Sequence, residues 1–159
     1  MILVSGDGVL ARELIKLSTN ELVITSLSKK DMDITNEYAV SDVIKKYMNT
    51  PNSPKYFIHT AALTKPMDVN DRNPILSLDT IYISTDFVYK ENSYVDEESN
   101  VNPSNAYGWS KLGGECVTKL IPESLILRCS LCDIPFRHPI AFDDVYRNSI
   151  THKEVAKII

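Results

Sequence analysis

The sequence lacks the features that define several classes of protein. Only three of its 159 residues are cysteine, an odd number, which argues against a disulfide framework. It has no apolar run near the roughly 20 residues that cross a bilayer, and no basic N-terminal flank with a cleavage signature. Lysine and arginine are scattered, and the net charge is -4. These absences predict a cytoplasmic protein with neither a membrane segment nor a nucleic-acid partner.

The cysteines also give little reason to expect a metal or redox site. Cys129 and Cys132 have the spacing of a redox pair, but they follow a strand-like run and lack a helix that would lower a thiol pKa. No second cysteine pair lies nearby, so a structural zinc site is not indicated. We therefore expect no metal.

The apolar residues that are present alternate between strand-like and helix-like patterns. Short apolar runs predict strands at 1–4, 22–24, 56–58, 80–83 and 125–127. Helical spacing predicts helices after residue 8, over 40–47, from about 105 and at 151–159. Strands that alternate with helices form a parallel sheet covered on both faces, so the predicted fold class is α/β, doubly wound and Rossmann-like.

A glycine motif lies between the first predicted strand and its helix. Gly6-x-Gly8-x-x-Ala11 has the spacing of a dinucleotide-binding turn. Gly6 permits the tight turn, Gly8 lets the backbone approach a pyrophosphate, and Ala11 allows the helix to pack closely on the strand. We expect the first backbone N–H groups of the helix, near Val9 and Leu10, to bind the phosphates. The alternative is an ordinary glycine turn without a ligand.

The stretch after the second predicted strand bears on the choice of cofactor. An NAD site usually has an acidic residue about 20 residues after the glycine turn. This chain has hydroxyls and lysines there, in Thr25-Ser-Leu-Ser-Lys29-Lys30. A cation such as Lys29 suits a 2′-phosphate, which favours NADPH over NADH. The alternative is that both lysines are solvated loop charges.

A tyrosine and a lysine with helical spacing are candidates for acid catalysis. Tyr107 and Lys111 stand at i and i+4, on one face of the helix predicted from about 105. A lysine beside a tyrosine favours the phenolate and lowers the pKa of the phenol toward working pH, which suits a proton donor. The fourth predicted strand ends in Ser84-Thr85-Asp86. The Thr85 hydroxyl could share the oxygen of a substrate carbonyl with the tyrosine.

Four segments together resemble the dTDP-4-dehydrorhamnose reductase family of extended short-chain dehydrogenases/reductases. They are IYISTDFVY at 81–89, NPSNAYGWSKLGGE at 102–115, DIT at 33–35 and HTAALT at 59–64. The resemblance implies an NAD(P)-binding Rossmann domain over 1–130, followed in the same unit by small remnants of a substrate lobe at 131–159. It implies NAD(P)H-dependent reduction of a nucleotide-linked 4-keto-6-deoxy sugar, as in rhamnose synthesis. A homodimer is also expected.

The resemblance assigns roles to individual residues. Tyr107 looks like the general acid, and Lys111 looks like its partner and a ligand of the cofactor ribose. Thr85 is similar to the family's second donor to the substrate ketone, and Asp86 would lie beside it in the substrate pocket. The residues implied at the cofactor are Asp33 and Ile34 beside the adenine, and Ala61, Ala62 and Thr64 beside the phosphates and ribose.

Departures from the family leave other functions open. The span 61–79 lacks helical periodicity and is about 20 residues shorter than in the family, through a deletion or because the sequence omits a stretch. The short substrate lobe keeps a catalytically silent, cofactor-binding regulatory subunit as a second hypothesis. A third is a bifunctional epimerase and reductase of a UDP- or GDP-linked sugar, with an acid and base among Cys129, Cys132 and His138. The tyrosine–lysine pair favours the reductase.

Overall fold

The strands and helices alternate along most of the chain. The structure is a computed structural model that describes residues 1–61, 78–90, 94–136, 139–140, 143 and 147–159. Its strands are β1 (Ile2–Ser5), β2 (Ile24–Leu27), β3 (Tyr56–His59), β4 (Asp79–Ser84), β5 (Leu125–Arg128), β6 (Ser130–Cys132) and β7 (Ser149–Thr151). Its helices are α1 (Val9–Ile15), α2 (Glu37–Met48), α3 (Ala106–Thr118) and α4 (His152–Ile158). No helix within these ranges is long and apolar enough to cross a bilayer.

Five strands form one sheet in the order β2-β1-β3-β4-β5, and every neighbouring pair is parallel. This confirms the predicted doubly wound α/β fold. The chain order reverses beside β1, which has β2 on one side and β3 on the other. In such sheets ligands bind outside the carboxyl ends of the strands at this switch point. A second parallel pair, β6 with β7, follows directly after β5.

Different helices cover the two faces of the sheet, and the alternation of side chains along each strand decides which helix they meet. On one face Leu3 and Phe57 pack with apolar residues of α2. On the other face Val4 and Ile58 pack with α1 and α4. All four side chains are at most 2% exposed. Burying side chains of this size stabilises the fold by about 1.5–3 kcal/mol each.

The second strand lies later in the chain than the sequence predicts. We expected it at 22–24, but β2 begins where that apolar run ends. The Ile2 amide donates to the Val23 carbonyl oxygen, so the chain joins the sheet only there. Within β2 the Ser26 hydroxyl donates to the Gly6 carbonyl oxygen at 2.9 Å. Hydropathy alone does not predict Ser26 in a strand, because its hydroxyl is polar. Its hydrogen bond to Gly6 allows it to occupy this position in β2.

The last part of the chain is more regular than the sequence predicts. Helix α4 falls within the predicted range 151–159 and begins with a capping box formed by Thr151 and Glu154. Strands β6 and β7 were missed because three residues are too few to show an alternation. Val155 of α4 packs in the same core as α1. The assignment of 131–159 to a substrate lobe stays a prediction.

The connection from β3 to β4 is where the sequence predicts a shortfall. The two strands are parallel neighbours, with His59 opposite Tyr82. Residues 62–77 lie outside the described residues. The predicted shortfall therefore stays a prediction.

Candidate functional site

The glycine turn joins β1 to α1 at the switch point of the sheet. Gly6 has a φ of 93°, which only glycine adopts without strain. A Cβ on Gly6 would also lie 3.2 Å from Thr60 Oγ1. Gly8 is the N-cap of α1 and has an ordinary negative φ, and a Cβ there would have no atom within 4 Å. The fold therefore requires the first glycine, whereas the second leaves an open space that a ligand could fill.

The carboxyl end of β3 is held beside this turn. His59 Nδ1 lies 2.7 Å from Ser5 Oγ, and the Ala61 amide donates to the same oxygen at 3.3 Å. These contacts place Ala61 next to the glycine turn, as its predicted role requires. The other two residues predicted for this loop, Ala62 and Thr64, lie outside the described residues.

The loop after β2 carries the residues predicted beside the adenine. Hydrogen bonds from the Thr35 hydroxyl and amide, at 2.7 and 3.0 Å, hold the pKa of the Asp33 carboxyl below its usual range, and the charge of exposed Lys29 adds to this. Ile34 is half-buried against the core under α2. Asp33 thus has a turn-forming role that accounts for its position. Its role at a cofactor stays a prediction.

A cavity of about 270 Å³ opens at the carboxyl ends of β4 and β5. It brings together all four residues predicted for proton transfer and substrate binding, which are Thr85, Asp86, Tyr107 and Lys111. The wall also includes Cys129, Ser130 and Leu131 at the junction of β5 and β6, Arg147, and Thr60 from the end of β3. The last of these connects the cavity with the glycine turn.

Thr85 ends β4 by capping a single 3-10 turn over Asp86–Val88. Its Oγ1 accepts a hydrogen bond from the Phe87 amide at 3.3 Å and donates to Asp86 Oδ1 at 3.2 Å. The side chain is only 5% exposed. These contacts hold the Thr85 oxygen at the cavity wall and direct its hydrogen toward Asp86.

Helix α3 presents Tyr107 and Lys111 to the cavity on consecutive turns. The helix follows Asn105, whose side chain accepts from the Gly108 amide at 2.8 Å. Gly108 lies so close to the loop after β4 that a Cβ would overlap the Phe87 carbonyl oxygen. The Phe87 and Tyr107 rings then meet edge to face, with centroids 5.9 Å apart. This glycine, which the sequence analysis did not single out, sets the approach of the tyrosine to the Thr85 loop.

Lys111 is a buried cation, with 2% of its surface exposed. Its Nζ lies 4.2 Å from the centroid of the Tyr82 ring. A buried charge is costly unless its surroundings compensate it, and the face of an aromatic ring supplies part of that compensation. The Lys111 Nζ therefore lies at the cavity wall, where a positive charge favours a neighbouring phenolate.

An ion pair of a buried carboxylate with a half-buried guanidinium lies beneath the cavity, and it was not predicted from the sequence. Glu115, 1% exposed, accepts hydrogen bonds from Arg128 Nε at 3.0 Å and Nη2 at 2.8 Å. The Ser84 hydroxyl donates to the same carboxylate, and Arg128 also donates to the Tyr89 hydroxyl at 2.6 Å. The bond to Glu115 raises the pKa of Arg128 above its ordinary value. Glu115 follows Lys111 by four residues, and this helical spacing was the available signal.

Asp86 meets a cation that the sequence analysis did not assign. Arg147 Nη1 lies 3.4 Å from Asp86 Oδ2, and the guanidinium stands 4.2 Å from the centroid of the Phe87 ring. Both charged side chains are about one third exposed, so the pair contributes little to stability. It does place a positive charge at the cavity wall.

The residues considered for epimerase chemistry are not brought together among the described residues. Cys129 lines the cavity, Cys132 does not, and His138 lies outside the described residues. Burial, and then the charge of Asp86, raise the pKa of the Cys129 thiol. In the described part of the chain no three His, Cys, Asp or Glu side chains form a group that could hold a metal.

Comparison with known sequences gives one family match. The family model described as RmlD substrate binding domain matches residues 1–132. No curated protein matches the chain.

Solved structures share the fold. The crystal structure of dTDP-4-dehydrorhamnose reductase from Bacillus anthracis str. Ames in complex with NADP is 28% identical, with a TM-score of 0.71 over 82% of this chain and 53% of that chain. A dTDP-4-dehydrorhamnose reductase from Clostridium acetobutylicum is 23% identical, with a TM-score of 0.72 over 99% of this chain and 68% of that one. A hypothetical dTDP-4-dehydrorhamnose reductase from Sulfolobus tokodaii is 24% identical, with a TM-score of 0.73 over 99% and 70%.

These matches differ in what they show. The Clostridium and Sulfolobus structures, at 23% and 24% identity, show the shared fold alone. This chain spans 53% of the length of the Bacillus structure.

Proposed function

Because this chain belongs to the RmlD substrate binding domain family, we propose that it is an NAD(P)H-dependent reductase of a nucleotide-linked 4-keto-6-deoxy sugar. The observation that carries the proposal is the cavity in which Thr85, Tyr107 and Lys111 converge. A hydroxyl, a phenol and an ammonium around one space can supply the proton and stabilise the oxygen when a ketone is reduced by a hydride donor.

The glycine turn fits a dinucleotide cofactor. The open space beside Gly8, at the N-cap of a helix with no side-chain cap, leaves room for a pyrophosphate next to backbone N–H groups. Gly6, Val9, Leu10 and Ala61 would surround it. The Bacillus structure similar to this chain contains NADP, which agrees with the preference for NADPH that Lys29 suggests.

The cofactor, when bound, would supply a hydride to the carbonyl carbon. Tyr107 would give its proton to the carbonyl oxygen, so that the ketone becomes an alcohol and the tyrosine becomes a phenolate. Lys111 would stabilise that phenolate by its charge and would also bind the cofactor ribose. Thr85 would turn its hydroxyl hydrogen away from Asp86 and donate a second hydrogen bond to the same oxygen.

Asp86 would contact the sugar from beside Thr85. Asp86 is part of the cavity wall, and its carboxylate forms an ion pair with Arg147. A carboxylate held in this way could accept a hydrogen bond from a sugar hydroxyl. A homodimer and a cytoplasmic location stay predictions from the sequence.

Substitution of the proposed acid tests this function. Tyr107→Phe should lower kcat by roughly 10²–10⁴, because a positioned acid contributes about that much, while NADPH affinity changes little. The measurement is NADPH oxidation with a panel of 4-keto-6-deoxy sugar nucleotides. Lys111→Ala should weaken both kcat and cofactor binding, and Thr85→Val should lower kcat less than Tyr107→Phe.

The matched control is Tyr94→Phe, since Tyr94 is fully exposed outside the cavity. Near-normal turnover by Tyr107→Phe would show that the proton comes from another group. A parent chain that binds NADPH but turns over no keto sugar nucleotide would favour the silent regulatory subunit instead.

A further inference from the structure

Tyr82 lies directly under the cavity and does not line it. Its side chain is 2% exposed and stands on β4, opposite His59 of β3. The His59 and Tyr82 rings stack, with centroids 5.4 Å apart and planes at 17°. Lys111 Nζ lies over the Tyr82 ring, 4.2 Å from its centroid. The buried Tyr82 ring therefore contacts Lys111. Among the described residues that line the cavity, Lys111 is the only lysine.

The backbone of α3 fixes where this ring can lie. A Cβ on Gly114 would overlap the Tyr82 hydroxyl, so only glycine lets the helix and the phenol approach so closely. Lys111 stands one turn earlier on the same face of α3. Because the helix and the stacked His59 both confine the ring, the ring can hold the ammonium in one place.

We propose that Tyr82 is a positioning residue for Lys111, whose ammonium its ring holds at the cavity wall. The attraction between a cation and a ring face is strongest where water is excluded, as it is at this buried pair. Tyr82 acts only through the lysine and does not contact the reacting atoms. The consequence for NADPH binding rests on the proposed function, whereas the contact itself can be measured without a cofactor.

Three substitutions separate the ring face from packing in general. Tyr82→Phe keeps the ring and loses the hydroxyl, whereas Tyr82→Leu loses the ring. Phe57→Leu is the matched control, because Phe57 is also 2% exposed and stacks on His59 with ring centroids 6.0 Å apart, but lies on β3 and not on β4.

The first measurement is NMR of the full chain with ¹³C-labelled lysine. The ε-methylene signal of Lys111, assigned by its loss in Lys111→Arg, should be shifted upfield by the ring in the parent, in Tyr82→Phe and in Phe57→Leu. It should return to the ordinary position in Tyr82→Leu. An unshifted signal in the parent overturns the inference, and this holds even if Tyr82→Leu does not fold.

The second measurement is NADPH affinity by fluorescence titration. Tyr82→Leu should weaken binding about 10- to 30-fold, as expected for loss of a desolvated cation–π contact, and Tyr82→Phe should restore most of it. Equal weakening by Phe57→Leu would overturn the inference, since it would indicate a general packing effect. A parent chain that binds no NADPH would overturn the proposed function, and the NMR result would then decide the inference alone.

Discussion

The carboxyl edge of the sheet has two halves that are built differently. At the switch point the backbone carries the proposed function, because Gly6 makes the turn and Gly8 leaves an open space. At the ends of β4 and β5 side chains carry it, and Glu115 with Arg128 ties the strands and α3 together beneath them. A phosphate site needs side chains to be absent, whereas proton transfer needs them held in place.

The two halves also differ in what their construction costs. The glycine turn buries no charge, so a substitution at Gly8, where a Cβ meets no atom, should affect a ligand more than the fold. The other half buries a lysine and a carboxylate, and that carboxylate is paired with a half-buried guanidinium. Buried charges destabilise the protein when one partner is removed. Substitutions there should therefore affect the fold and the site together.

The largest expected effect separates the two glycines. Gly8→Val should abolish NADPH binding, because its side chain would fill the open space, while costing at most about 1 kcal/mol of stability through a poorer N-cap. Gly6→Ala should instead destabilise the fold by about 1–3 kcal/mol, since its φ of 93° strains any residue with a Cβ. Fluorescence titration and urea unfolding measure the two quantities. Unchanged NADPH affinity in Gly8→Val would contradict the proposed phosphate site.

The next effect tests the ion pair of Glu115 with Arg128. Glu115→Gln should lower the free energy of unfolding by about 1.5–3 kcal/mol, because it weakens the charge-assisted hydrogen bonds between the carboxylate and half-buried Arg128. Adding Arg128→Met should recover part of the loss, so the double variant loses less than the sum of the single variants. The measurement is urea unfolding.

The exposed pair of Glu13 with Lys16 provides the control for that experiment. Glu13→Gln should change the free energy of unfolding by less than about 0.5 kcal/mol, because Lys16 is 67% exposed. Similar losses in Glu115→Gln and Glu13→Gln would mean that burial does not distinguish the two pairs.

The smallest effect concerns the thiol at the cavity wall. Burial and the charge of Asp86 raise the pKa of Cys129, because both disfavour the thiolate. The folded protein should therefore keep this thiol protonated at a pH where the unfolded chain ionises it, and stability should fall slightly as pH rises through the ordinary thiol range.

Alkylation by iodoacetamide, followed by peptide mass spectrometry across pH 7 to 10, measures this ionisation. Cys129 should reach half its maximal rate at a higher pH in the folded protein than in urea. Asp86→Asn should shift that midpoint downward. Identical profiles in folded and unfolded protein would contradict the raised pKa.

Local patterns predicted much of this molecule. The alternation of strands and helices gave the α/β class, which the parallel sheet confirms. The spacing of Tyr107 and Lys111 predicted that both lie on one face of a helix. The position of Thr85 at the end of a predicted strand made it a candidate for the same site. Each of these is a property of residues close together in the chain, which is why periodicity and spacing could predict it.

The tertiary structure decided the rest. Arg128 meets Glu115 across 13 residues of sequence and Tyr89 across 39, and Arg147 meets Asp86 across 61. Spacing within one element shows which side chains share a face, but not which other element that face will contact. The sequence by itself determined the order of the elements and the types of chemical group at the cavity. Only the packing of the elements decided which groups meet. Glycines let α3 approach the loop after β4 and the Tyr82 ring closely, and buried charged groups require partners of opposite charge.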